Sequence, residues 1–116
     1  MYRVVKRDGK IADFDLDKIR NAVKKAFDGC NKPYADDVID LIALRVTSNF
    51  APKVHDHLIG VEDIQDSVER VLSDAGYADV AKAYILYRRQ HENLRNIQNT
   101  TLDYKKLVDN YLKALD

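Results

Sequence analysis

The sequence predicts an α+β fold that is mostly helical, with an N-terminal β-hairpin over a bundle of about four helices and a connector helix at the C-terminus. Two observations support this prediction. The dipeptide Asp8-Gly9 lies between two short runs rich in Val, Ile and Phe, which is a strong local signal for a β-hairpin. From Leu16 onward, apolar residues recur at intervals of three and four in five separate segments, which is the spacing of amphipathic helices.

The composition indicates a single domain of modest size in a reducing compartment. Its 116 residues can bury a core without disulfides or metal. Nineteen Lys and Arg residues balance nineteen Asp and Glu residues, so no overall positive field draws the protein to nucleic acid, and any anion site must be local. The single Cys30 cannot form an internal disulfide, and we find neither a signal-peptide core nor a bilayer-length apolar segment. We therefore expect a cytoplasmic protein with neither nucleic acid nor membrane as a partner.

The predicted hairpin gathers cations around one turn. If Asp8 and Gly9 alone form the loop, three cross-strand pairs follow. These pairs are Arg7 with Lys10, Val5 with Ala12, and Arg3 with Phe14. Lys6 and Arg7 are then at the tip of the hairpin.

The first helix is predicted to begin after Asp15, a plausible N-cap, and to end near Gly29. Lys18 then lies in the first helical turn, where the helix dipole favours an anion and disfavours a cation. A lysine at this position is therefore a candidate ligand for a negatively charged molecule. The alternative is that Lys18 and the cations of the hairpin form only a solvated rim.

The second helix is predicted to begin around Asp36 and Asp37 and to end before Pro52. Its apolar positions are Val38, Ile39, Leu41, Ile42, Val46 and Phe50. The segment APKVHDHLIG that follows is predicted to be a loop.

The third and fourth helices are predicted in quick succession. Glu62 and Asp63 begin the third, and Gly76 ends it. The fourth carries an apolar stripe that includes Val80 and Tyr84, and its end is polar.

A further amphipathic helix is predicted over residues 103–115, with Thr100 and Asp103 spaced like a capping box. Its stripe contains Tyr104, Leu107, Val108, Tyr111, Leu112 and Leu115. Because the sequence stops directly after this stripe, we expect the chain to be a piece of something longer.

Three elements in order carry a family resemblance: K-R-D-G, F-D-x-x-K-I and A-Y-x-x-Y-R. Over roughly residues 2 to 95 the sequence resembles an ATP-cone, the adenine-nucleotide-binding allosteric module of many ribonucleotide reductases and of a transcriptional repressor of their genes. The run AKAYILYRR and the NTTLDYKKLVDNYLKALD segment are most similar to anaerobic, glycyl-radical ribonucleoside-triphosphate reductases. The resemblance implies a nucleotide-binding domain over residues 1–95, followed over residues 96–116 by a linker and helix that lead to a missing catalytic domain.

The resemblance also implies the ligand and its site. ATP as activator and dATP as inhibitor are the expected effectors, with Mg²⁺ shielding their phosphates. No P-loop is present, so side chains must supply the positive field. The residues expected to bind the nucleotide are Val5, Lys6, Arg7, Asp15, Lys18, Ile19, Val61, Ile64, Gln65 and Arg88. The expected partners are adenine nucleotides, the catalytic domain of the same parent chain and a nucleotide-dependent homo-oligomer. The family often has a histidine where Gln65 stands and a polar or acidic residue at Ala12.

Other chemistries are less well supported. The HDH tripeptide at residues 55–57 is half of a metal site at most, since no further ligand cluster or cysteine accompanies it. The helical tyrosines fall on apolar stripes, where core packing is their ordinary role. No combination of nucleophile, base and orienting residue can be identified, so we expect a regulatory segment without catalytic residues.

Two alternatives to a reductase regulator remain. One is the sensing half of the repressor, although that family's cone follows a four-cysteine zinc ribbon and this chain has one cysteine. The other is a helical interaction domain that binds no nucleotide.

Overall fold

The computed structural model describes residues 2–92, and these residues confirm the predicted mostly helical α+β fold. The elements in chain order are β1 (Arg3–Val5), β2 (Ile11–Asp13), α1 (Leu16–Gly29), α2 (Asp36–Phe50), a 3₁₀ turn (Ala51–Lys53), β3 (Leu58–Gly60) and α3 (Val61–Asp74). Residues 78–92 are also helical and are called α4. The chain up to Ile85 belongs to one compact unit, and a second unit begins at Leu86.

The sheet has three strands in the order β2-β1-β3, with β1 antiparallel to β2 and parallel to β3. The third strand corrects the prediction of an uninterrupted loop over residues 51–60. Val4 of β1 pairs with Ile59 of β3, and Ile59 is only 1% exposed. A strand of three residues is too short to show an alternating pattern, which is why periodicity does not reveal it.

The register of the hairpin differs by one residue from the predicted one. Val4 pairs with Ala12, and the Lys6 N–H donates to the Lys10 carbonyl at 2.8 Å. The Gly9 N–H donates to the Lys6 carbonyl at 2.9 Å, and Gly9 has φ +85°, which gives a three-residue loop with glycine in the left-handed position. The predicted two-residue loop requires positive φ at the preceding aspartate as well, and that residue does not have it.

Burial explains why this register is favoured over the predicted one. A shift of one residue would turn every side chain of one strand to the opposite face relative to its partner strand. In the observed register the rings of Tyr2 and Phe14 contact each other edge to face and both contact Phe50 of α2. Arg3 instead lies on the outer face, where its guanidinium is 3.7 Å from the Asp13 carboxylate. The predicted register would have placed Arg3 beside Phe14 on the core face.

A second tight turn connects the 3₁₀ segment to β3. Asp56 and His57 both have positive φ, at 53° and 63°, and two backbone hydrogen bonds join His55 to Leu58 around them. The His57 carbonyl also accepts from the Arg3 N–H at 2.8 Å, so this turn holds β3 beside β1. This conformation is unfavourable for most residues that carry a side chain; it is commonest in Gly, and Asn, Asp and His adopt it more often than the rest.

The core lies between the helices and one face of the sheet. Each helix contributes an apolar stripe, and the fully buried large side chains are Phe27, Phe50, Ile39, Ile59, Leu72, Val23, Val46, Val68 and Val80. Leu41 departs from the predicted apolar face of α2, because it is 51% exposed.

The predicted ends of the first three helices agree with the structure. Asp15 is the N-cap of α1, and its side chain accepts from the Asp17 N–H at 3.0 Å. Gly76, with φ +85°, lies just beyond α3. Lys32, in the loop after α1, contacts the Asp79 carboxylate at 3.2 Å and so joins that loop to the start of α4.

Residues 103–115 and the capping box at Thr100 lie outside the described part of the chain, so their helix stays a prediction. The boundary predicted between residues 95 and 96 also stays a prediction. Within residues 2–92, none of the helices has the length and apolarity needed to cross a bilayer.

Candidate functional site

A cavity of about 220 Å³ lies within the first unit, next to the hairpin. The two strands of the hairpin, the first half of α1, the part of α3 up to Val68 and one residue of α4 surround it. Its lining consists of Val4, Lys6, Ala12, Asp13, Phe14, Asp15, Lys18, Ile19, Ala22, Val61, Ile64, Gln65, Val68 and Tyr84.

Strand alternation decides which hairpin residues reach the cavity. Side chains two residues apart share one face of a strand, so Val4 and Lys6 lie on the same side. Both line the cavity, whereas Val5 and Arg7 do not. The observed register pairs Val4 with Ala12, which brings Ala12 into the same wall.

The interior of the cavity is apolar. Ile19, Ile64, Val68 and Tyr84 are each at most 8% exposed, and Ala22 lies among the lining residues beside them. Such side chains offer no hydrogen-bonding groups except the tyrosine hydroxyl. The interior therefore suits the apolar faces of a flat ring, with Gln65 as a polar side chain in the same wall.

Two lysines and two carboxylates stand at the exposed edge of the cavity. Lys6 directly follows β1 and Lys18 is in the first turn of α1, and both are exposed. Asp13 is engaged by Arg3, and the Asp15 side chain caps α1. Both carboxylates already have partners, whereas the ammonium groups can attract an anion at the N-terminal end of α1, where the helix dipole also favours negative charge.

A shallower groove adjoins the cavity. It is lined by Val5, Lys6, Arg7, Gly60, Val61 and Glu62, so it shares Lys6 and Val61 with the cavity. In this groove the Arg7 guanidinium donates to Gln65 Oε1 at 3.0 Å and lies 3.7 Å from Glu62 Oε1. Arg7 thus connects the hairpin loop to a residue of the cavity wall.

The structure brings most of the predicted site residues to one place. Seven of the ten line the cavity: Lys6, Asp15, Lys18, Ile19, Val61, Ile64 and Gln65. Val5 and Arg7 line the adjoining groove instead. Arg88 lies beyond Ile85, in the second unit, and its role stays a prediction.

Sequence reasoning missed several residues of the lining. Val4 and Phe14 were missed because the predicted register placed Val5 opposite Ala12, and the observed register exchanges these faces. Val68 and Tyr84 lie on the apolar stripes predicted for the third and fourth helices, and Ala22 was not assigned a role from sequence. No sequence signal separates a cavity wall from a filled core, because both require apolar residues at the same spacing.

The HDH tripeptide does not assemble a metal site in the described residues. Across positions 2–92, no three His, Cys, Asp or Glu side chains are grouped so that they could hold a metal ion. The backbone of Asp56 and His57 forms the tight turn before β3.

Comparison with known proteins identifies relatives of this chain. A family model described as the ATP cone domain matches residues 2–93. The "Ribonucleoside-diphosphate reductase subunit alpha" of Chlamydia pneumoniae is 38% identical over 98 residues, which cover 79% of this chain and 9% of the relative. The "Vitamin B12-dependent ribonucleoside-diphosphate reductase" of Thermoplasma acidophilum is 35% identical over 124 residues, covering 97% of this chain and 15% of the relative.

An "Anaerobic ribonucleoside-triphosphate reductase" of Haemophilus influenzae is 34% identical over 94 residues, covering 81% of this chain and 13% of the relative. The chain therefore spans only a small part of the relatives it matches, and those relatives carry the names of different kinds of ribonucleotide reductase.

Proposed function

Because the chain belongs to the ATP-cone family, we propose that it is an adenine-nucleotide sensor that regulates a ribonucleotide reductase, with ATP as the activating and dATP as the inhibiting effector. The cavity is the proposed binding site. The observation that carries the proposal is the combination of an apolar interior of about 220 Å³ with two lysines at its exposed edge. A nucleotide has the same division into a flat base and a polyanionic tail.

The proposed binding mode places the base between the apolar walls and the phosphates near the cations. Lys6 and Lys18 contact the phosphates, and Arg7 takes part from the adjoining groove. Charge-assisted hydrogen bonds of this kind are stronger than neutral ones. Mg²⁺ bound to the phosphates accompanies the nucleotide and lowers its net charge.

Gln65 is proposed to contact the edge of the base. Arg7 can only donate, so its hydrogen bond requires that the amide oxygen of Gln65 face the guanidinium. The amide N–H groups of Gln65 are then left to donate to a ring nitrogen of adenine. Guanine has an N–H at the position where adenine has the N1 acceptor, so the same contact disfavours it.

Regulation requires that the two effectors stabilise different states of a larger protein. A ligand shifts an equilibrium only through its different affinity for the two states. ATP and dATP differ by one ribose hydroxyl, so this group must be recognised either in the cavity or in the assembly. We propose that the reductase is the anaerobic, glycyl-radical kind, on the strength of the AKAYILYRR and C-terminal segments and of the Haemophilus relative.

The proposed division of labour gives catalysis to another part of the parent chain. This segment binds the effector, and the helix predicted over residues 103–115 connects it to the catalytic domain. Nucleotide-dependent association of parent chains is one way in which such a module can change activity.

Calorimetric titration of the 116-residue chain with ATP, dATP and GTP in the presence of Mg²⁺ tests the proposal. We expect saturable binding of ATP and dATP and weaker binding of GTP. Lys18→Ala should bind ATP more weakly than the unmodified chain. Lys24→Ala is its matched control, because Lys24 is on the same helix but lines neither the cavity nor the groove. Absence of binding by all three nucleotides would instead favour a helical interaction domain.

A further inference from the structure

Arg7 is held by two residues of α3. Its guanidinium is hydrogen-bonded to Gln65 at 3.0 Å and ion-paired with Glu62 at 3.7 Å. The Arg7 side chain is 24% exposed and that of Glu62 is 65% exposed. The Glu62 carboxylate therefore partly neutralises the positive charge of Arg7, which an incoming anion would otherwise contact.

The position of Glu62 makes this competition direct. Arg7 and Glu62 line the same groove, and that groove meets the cavity at Lys6 and Val61. A polyanion that extends from the cavity past Lys6 enters the groove and approaches both side chains. A carboxylate and a phosphate use the same guanidinium donors, and the two anions repel each other.

Glu62 is also placed favourably when no ligand is bound. It is the second residue of α3, where the helix dipole favours an anion. The side chain is thus stabilised without the nucleotide, and binding of phosphate at Arg7 must displace it.

We propose that Glu62 is an internal competitor for Arg7, which lowers the affinity of the site for the distal phosphates of a nucleoside triphosphate. This inference rests on the proposed function, since it assumes that the base occupies the adjoining cavity. Glu62 weakens the bound state, because a phosphate that approaches Arg7 must replace the Glu62 carboxylate in its ion pair.

Glu62→Gln tests the proposal, because it removes the charge and retains the size of the side chain. We expect ATP to bind about two- to fivefold more tightly, the range that corresponds to an exposed ion pair. In an Arg7→Ala background the same change should tighten ATP binding less, since the competition for Arg7 no longer exists and only the direct repulsion between Glu62 and the phosphates remains. Asp37→Asn is the matched control: Asp37 is the second residue of α2, its removal changes the net charge equally, and it lines neither the cavity nor the groove.

The outcomes separate the inference from the function on which it rests. Tighter ATP binding by Glu62→Gln that is smaller in the Arg7→Ala background and is not reproduced by Asp37→Asn supports the proposal. Unchanged or weaker binding by Glu62→Gln overturns it while the proposed function stands, as does equal tightening with and without Arg7. Failure of the unmodified chain to bind ATP overturns both.

Discussion

The Arg7 guanidinium donates to Gln65 Oε1 over 3.0 Å, and this contact joins the loop of the hairpin to the wall of the cavity. The hydrogen bond spans 58 positions of sequence, so it is formed only when β1 and α3 are in place. It relates a residue proposed to bind phosphate to a residue proposed to bind the base. The consequences for binding and stability can be tested separately.

Removal of the charge at Lys18 should weaken ATP binding by about 1.5 to 3 kcal/mol, the range for hydrogen bonds to charged groups. Lys6→Ala and Arg7→Ala should have effects of similar size. Lys18 is exposed, so the free energy of unfolding should change little. Calorimetry and urea unfolding of the same samples measure the two quantities. An ATP affinity of Lys18→Ala equal to that of the unmodified chain would place the phosphates elsewhere.

Gln65→Ala should reduce the preference for ATP over GTP more than it reduces ATP affinity itself. The amide is proposed to distinguish the bases, whereas the lysines supply most of the attraction for phosphate. The measurement is the ratio of the two dissociation constants in the variant and in the unmodified chain. An unchanged ratio would remove Gln65 from base recognition.

The ion pair between Lys32 and Asp79 should make stability depend on pH. The pKa of Asp79 is lowered below its ordinary value of 3.8, chiefly by the hydrogen bond from Lys32 and next by that from the Val80 N–H. A lowered folded-state pKa contributes stability above the unfolded-state pKa, and this contribution is lost as pH falls through the folded-state pKa. Asp79→Asn should therefore be less stable than the unmodified chain at neutral pH, and the difference should shrink from about pH 5 to about pH 2.

A double variant tests whether Lys32 causes that pH dependence. In a Lys32→Ala background, the difference in the free energy of unfolding between the proteins with Asp and with Asn at position 79 should become smaller at neutral pH. Urea unfolding across the pH range measures all four proteins. If the difference does not vary with pH, the hydrogen bonds of Asp79 do not favour its charged form.

Replacement of His57 by glycine should stabilise the turn before β3. His57 has φ +63°, and a left-handed conformation costs a residue with a side chain about 1 to 2 kcal/mol. Glycine removes this cost but loses more conformational entropy on folding, so we expect a net gain of about 0.5 to 1 kcal/mol. Thermal or urea unfolding measures the change. His55→Gly is the control, because His55 is not among the described residues with positive φ, and there the same replacement should destabilise the protein.

The helices could be predicted from sequence because each has its own local signals. Asp15 at the start of α1 and Gly76 after α3 mark their ends through side-chain and backbone chemistry that depends on a few neighbouring residues. Strand pairing depends on distant residues. Val4 lines the cavity in place of the predicted Val5, because the hairpin loop is one residue longer than predicted. The contact of Tyr2 with Phe50 favours that longer loop.

The candidate site was predicted better in its charged residues than in its walls. Lys6 and Lys18 could be selected because cations near a turn and a helix start have a specific electrostatic meaning. Val68 and Tyr84 belong to helix stripes whose pattern is the same for a cavity as for a packed core. The groove that contains Glu62 also depends on tertiary structure, because Arg7 and Glu62 are brought together by the parallel pairing of β1 with β3 that precedes α3.

The cavity between the hairpin and the helices is the proposed binding site of the adenine nucleotide. Titration of the isotope-labelled 116-residue chain with ATP and Mg²⁺, followed by its backbone amide resonances, can test this claim residue by residue. We predict that the largest shifts occur at residues of the lining, including Lys6, Lys18, Ile64 and Gln65, and that Lys18→Ala requires more ATP for the same shifts. Absence of shifts at saturating ATP, or shifts confined to residues outside the cavity and its groove, would contradict the claim.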